Sequence, residues 1–120
     1  LRIILDEGVP KEVARGLAGH EVVTVPDAGW ASVKNGKLLA LIESAGFNAF
    51  ITCDKNLQFQ QPLHRRPFAI LLLSTNHWDT LEPNVLAITE ALNEAKPGIL
   101  TEVDCGKFVQ RKFRKRPPGG

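Results

Sequence analysis

Two short runs constrain this chain more than anything else in it. Ala49 to Thr52 and Phe68 to Leu73 are almost wholly apolar and of strand length. Runs like these suit strands covered on both faces, the environment of a parallel sheet flanked by helices. The pattern around them alternates. Ile3-Ile4-Leu5 predicts a first strand, then a helix opening with Pro10 at its first position, running to about Leu17 and stopped by Gly19. Glu21 to Val25 is rich in β-branched residues and predicts a second strand. Asn35 is placed to cap a helix whose inward face is Leu38, Leu39, Leu41 and Ile42, closed by Gly46. Glu82-Pro83 opens another helix with Val85, Leu86, Ile88, Ala91 and Leu92 inward, ending near Pro97-Gly98. A fifth strand is expected around Glu102 to Val109. The link from Lys55 to Pro67 holds at most one short helix. This alternation predicts an α/β fold, a mainly parallel five-stranded sheet with helices on both faces. Strand order 2-1-3-4-5 is the economical choice.

A chain of 120 residues suits one domain with one core. Hydrophobic residues at 43% and charged ones at 23% exclude a disordered chain. No apolar run approaches the about 18 residues of a membrane span, so no membrane partner is expected. The first residues lack the basic-then-apolar layout of a signal peptide. Cys53 and Cys105 are too few for a disulfide scaffold and form no Cys-x-x-Cys pair. The expected compartment is the cytoplasm. Charge is unevenly spread: Arg111, Lys112, Arg114, Lys115 and Arg116 crowd one segment that contains no acid. Removing them leaves ten bases against thirteen acids, a net charge of −3. Residues 1–110 thus form the expected domain and 111–120 a basic, flexible tail. The tail suits nucleic-acid phosphates, or serves only as a solvated terminus.

In open α/β sheets, ligands gather at the carboxyl ends of the strands, beside the point where strand order reverses. Asp6-Glu7 follows the first strand and Asp54-Lys55-Asn56 the third. With order 2-1-3-4-5 those strands are neighbours, about 4.8 Å apart. Asp6 and Asp54 would share one small cavity, where two carboxylates about 4 Å apart repel by roughly 4 kcal/mol at an effective dielectric near 20. A divalent cation removes that cost, and a shared proton is the other remedy. As isolated residues both acids also suit turns and caps. Gln58, Gln60 and Gln61 around Phe59 make a polar loop nearby, suited to RNA or to a plain turn.

The stretches ILDEGVP, GHEVVTVPDAGW, KNGKLLALIESAGFNAFITCDKNLQFQQ and FAILLL resemble the small PIN-like domains of bacteria, relatives of the nuclease toxins of toxin–antitoxin pairs. The similarity runs from about Leu1 to Leu73. The resemblance implies a PIN-like three-layer sandwich that holds Mg²⁺ or Mn²⁺ on acids and hydrolyses RNA. By that resemblance Asp6 and Asp54 are metal-binding acids with Thr52 a supporting hydroxyl; Asn35 stands at a further ligand position, Glu7 and Glu43 are the acids available to compensate for its missing charge, and Asn56 is in support. Lys55, beside the acids, would hold a phosphate or stabilise the leaving group, which places Asp6, Asp54 and Lys55 in the catalytic group. Many members carry an Asp where this chain has Asn35, a weaker cation ligand. Ser74-Thr75-Asn76 after the fourth strand offers only neutral oxygens, Asp79 lies further along, and Glu43 falls on the exposed side of its helix. RNA is the implied substrate, with an antitoxin-like protein or a second copy of the chain as partner.

Two rival classes stay open. A phosphoreceiver would use Asp6-Glu7, Asp54 as acceptor, Thr75 and Lys107, yet needs a full helix between the third and fourth strands. A catalytically faded PIN-like interaction protein would account for Asn35.

Overall fold

The structure is a computed structural model, and it describes residues 1–105. Five strands, β1 (Arg2–Leu5), β2 (Glu21–Thr24), β3 (Ala49–Thr52), β4 (Ala69–Leu73) and β5 (Leu100–Val103), form one sheet in the order β2-β1-β3-β4-β5. Every neighbouring pair is parallel, so the sheet is parallel throughout rather than mainly so. The expected order stands. Four helices accompany it: α1 (Asn35–Ser44), α2 (Leu57–Gln60), α3 (Trp78–Leu81) and α4 (Val85–Glu94). Two 3-10 segments, Lys11–Leu17 and Glu82–Asn84, complete the elements.

Alternation along the strands divides the core into two. Ile3, Leu5, Ile51, Leu71 and Leu73 face the layer made by Lys11–Leu17, α3 and α4, where Val13, Leu17, Leu81, Ile88 and Leu92 pack on them. Ile4, Phe50 and Ile70 face the opposite layer, where Leu38, Leu39 and Ile42 of α1 and Leu57 of α2 cover them. Successive strand residues point to opposite faces, so strands covered on both sides must be apolar at every position. β3 and β4 are buried along their whole length. The result is a three-layer α/β sandwich.

Several local expectations need correction. Pro10 does not occupy the first helical position; it flanks a 3-10 segment, with ψ 131° and its carbonyl accepting the Val13 N–H at 3.0 Å. The last helical region starts earlier than Glu82, with Trp78 opening α3 and the Glu82–Asn84 turn leading into α4. Leu86 is not inward but 76% exposed. At 100° per residue it lies about 160° around α4 from Ile88, off the stripe that Ile88 and Leu92 define. Strand β5 begins at Leu100, because Leu100 pairs with Ile70 at the start of the β4 ladder. The expected continuation past residue 105, Lys107 and the basic segment 111–116 lie outside the described residues.

Trp30 and Trp78 are half-buried packing residues, Trp30 meeting Phe47 edge-on at 6.2 Å between ring centroids. Among the described residues no helix is long and apolar enough to cross a membrane.

Candidate active site

The chain runs from β1 outward to β2, then crosses back to place β3 on the other side of β1. Strand order therefore reverses between β1 and β3, and the polar residues that leave those two strands meet at one rim. The Asp6 N–H continues the ladder by donating to the Ile51 carbonyl at 2.9 Å. This sets Asp6 beside the end of β3.

Thr52, the last residue of β3 and 0% exposed, joins the two acids. Its hydroxyl donates to Asp6 Oδ2 at 2.7 Å and accepts the Asp54 N–H at 3.0 Å. The other Asp6 oxygen accepts the Glu7 N–H at 2.8 Å. Asp54 Oδ1 accepts the Asn56 N–H at 2.9 Å, an Asx turn that starts α2. Asp54 Oδ2 accepts the Asn35 side-chain amide at 3.2 Å, and the same amide donates to Gln60 Oε1 at 3.2 Å. Asp6, Thr52, Asp54 and Asn35 are thus one hydrogen-bonded group drawn from β1, β3 and α1. The two carboxylates are both half-buried, and bonds to a charged acceptor are the stronger kind.

Asn35 departs from its expected local role. It is the first residue of α1 rather than the cap, which Lys34 supplies in extended backbone without a side-chain bond. Its amide nitrogen donates to the Asp54 carboxylate and to Gln60, which turns the side chain toward the rim. Glu7 is drawn aside: its carboxylate accepts the Ser32 N–H at 2.7 Å, holding a residue with φ 66°. Lys55 and Asn56 are exposed at the rim, with Lys55 next to Asp54 in sequence. Glu43 is engaged elsewhere, pairing with Arg66 at 3.0 Å on the surface.

No family model, curated protein or solved structure matches this chain. The chemistry of the rim therefore stands on its own residues. Among the described residues no group of three or more His, Cys, Asp or Glu side chains is arranged to hold a metal ion. The donor set does not make a protein cage. It does suit one hydrated Mg²⁺ or Mn²⁺, an ion held through one or two carboxylates and completed by waters and a substrate phosphate. Each carboxylate oxygen keeps a second lone pair beyond the hydrogen bond described above.

Two features escaped the sequence. Cys53 is half-buried and its S–H donates to the Thr75 carbonyl at 3.4 Å. Burial, then the nearby Asp6 charge, push its thiol up to about 11, with Lys55 opposing. On the α1–α2 face of β4 and β5 lies a cleft of about 450 Å³ bordered by Lys55, Gln58, Phe59, Leu72, Glu102 and Asp104. The only local sign of this cleft was the brevity of the Lys55 to Pro67 link. A four-residue α2 leaves the end of β4 and β5 without the helical cover a full crossover would give. The same brevity weighs against a phosphoreceiver.

Proposed function

We propose that this chain is a PIN-like, Mg²⁺- or Mn²⁺-dependent ribonuclease of the cytoplasm, the toxin-like member of a toxin–antitoxin pair. The supporting observation is the placement of Asp6 and Asp54 at the carboxyl ends of adjacent strands, on either side of the reversal in strand order and joined through Thr52. The PIN-like sequence stretches supply the reaction class. Asp6 and Asp54 hold the cation, with Asn35 beside them as a neutral aid. A bound ion of this kind lowers the pKa of a coordinated water and neutralises charge on a scissile phosphodiester. Thr52 fixes the Asp6 carboxylate so that no rotamer search is needed when substrate arrives. The exposed Lys55 attracts the phosphate to the rim and offsets charge on the leaving oxygen. The basic segment 111–116 adds affinity for the RNA chain.

The test is cleavage of single-stranded RNA by the full chain with Mn²⁺. Asp54→Asn should abolish cleavage. Its melting temperature should hold, because an Asn oxygen still accepts the Asn56 N–H, the Asn35 amide can turn its own oxygen to the new NH2, and one negative charge at the rim is gone. Cleavage at an unchanged rate in the variant would defeat the proposal. The lack of a third carboxylate favours one second reading, a faded PIN-like interaction protein. Wild-type chain that binds RNA or an antitoxin-like partner without turnover would establish it.

A further inference from the structure

We infer that the cleft beside the two acids holds a guanine base of single-stranded RNA, next to the phosphate that Asp6 and Asp54 serve. The inference rests on the ribonuclease reading for its substrate class and adds the base that the site selects.

The cleft's volume of about 450 Å³ lies within the roughly 300–1,000 Å³ range of small-molecule sites. Its floor is Leu72, which pairs in register with Glu102 on the neighbouring strand, so both side chains rise from the same face of the sheet. At the mouth stands Phe59, 79% exposed, on the one-turn helix that also carries Gln60 of the acid network. An aromatic face open to solvent beside a cleft offers a stacking surface to a base. Lys55 borders the cleft and is the residue after Asp54, so it spans the step from cleft to acids. A nucleotide with its base in the cleft and its phosphate at Lys55 brings the next linkage to Asp6 and Asp54.

Charge decides which part of the nucleotide enters. Among the described residues of its border, the exposed Glu102 sets a carboxylate beside the apolar Leu72, an arrangement that favours hydrogen-bond donors over a phosphate. Glu102 is exposed at the end of β5 and presents two acceptor oxygens. Guanine alone among the four bases carries two adjacent donors, N1–H and the 2-amino group, which match both oxygens of a carboxylate. Adenine and cytosine place a ring acceptor beside their amino group. Uracil flanks its N3–H with two carbonyl oxygens. Each of those arrangements sets an acceptor against the carboxylate.

The experiment measures binding by the full chain, without divalent cation, to short fluorescent oligouridines that carry one central guanosine, inosine, adenosine, cytidine or uridine. Guanosine should bind roughly tenfold or more tighter than uridine, the discrimination of one bidentate pair. Inosine, which lacks the 2-amino group, should fall between. Glu102→Gln should erase the preference, since a Gln amide offers only one acceptor. Phe59→Ala should weaken every oligonucleotide by about tenfold alike, as loss of a stacking face does. Equal affinities for the five oligonucleotides, or a preference that survives Glu102→Gln, would overturn the inference. A parallel arm with Mn²⁺ reads cleavage. Guanosine preference without cleavage supports the base site and defeats the nuclease, whereas cleavage without preference defeats the base site and leaves the nuclease standing.

Discussion

Thr52 sits at the end of β3 where a valine would pack as well, yet its hydroxyl has two partners that no hydrocarbon can replace. Thr52→Val strips Asp6 of a donor and leaves the half-buried Asp54 N–H without its acceptor. The expected loss is about 1–3 kcal/mol, the cost of orphaning a buried polar group, read as a lower urea midpoint with unchanged slope. Thr52→Ser should recover most of it. The cysteines give a prediction in pH. Cys53 and Cys105 both have thiols raised from 9.0 to about 11, chiefly by burial, with Asp6 next for Cys53 and Asp104 next for Cys105. A thiol harder to ionise when folded than unfolded gives stability that is complete below pH 9 and lost as pH rises toward 11. Urea midpoints should fall across that window, and the fall should be shallower in Cys53→Ala. An identical pH profile in the variant would show that Cys53 is not among its causes. Of this residue detail, Asp6 and Asp54 were legible because each follows a recognisable strand, and Thr52 only through the resemblance of the stretch that contains it. The cap role expected for Asn35 was wrong because capping propensity is local and the Asp54 carboxylate is not.

Among the elements, the 3-10 segment Lys11–Leu17 and α4 meet at Gly16. A Cβ there would lie 2.0 Å from Val85 Cγ1, and Thr89 Oγ1 donates to the Gly16 carbonyl at 3.3 Å. Valine is stiff at χ1 and cannot swing away cheaply. Gly16→Ala should therefore destabilise by about 1–3 kcal/mol, the usual cost of overpacking. The double variant Gly16→Ala, Val85→Ala should be more stable than Gly16→Ala alone, a coupling that thermal melts of the four proteins would measure. Strictly additive losses would place the cause elsewhere. Helix periodicity foretold the buried stripe of α1, Leu38, Leu39 and Ile42, and the Ile88–Leu92 stripe of α4. It failed at Leu86, since hydrophobicity alone says nothing of which side of a helix meets the sheet. The early start at Trp78 was hidden because Pro83 looks like a helix opening, and here it sits in a 3-10 turn between two helices.

For the molecule as a whole, a net charge of −3 without the segment 111–116 means that any affinity for nucleic acid would lean on that segment. Each phosphate neutralised on a single strand adds about −0.7 to the slope of log K against log salt. Deleting residues 111–120 should flatten that slope by roughly 2 to 3 units, measured by RNA binding from low to physiological salt. Equal slopes would show the segment to be only a solvated terminus. Any cleavage should persist in the truncated chain, because the acids directly follow β1 and β3. The sequence by itself determined β1 to β4, a mainly parallel sheet and the strand ends that the two acids follow. Each of these follows from local apolar period, strand-sized runs and the short reach of the connecting loops. Only the tertiary structure decided that Asn35 turns to Asp54, that Glu7 turns to Ser32, and that a one-turn α2 leaves a cleft over Leu72 and Glu102. Those contacts join residues 19 and 25 apart in the chain, or adjacent strands, and local pattern carries no information about which distant group arrives within hydrogen-bonding reach.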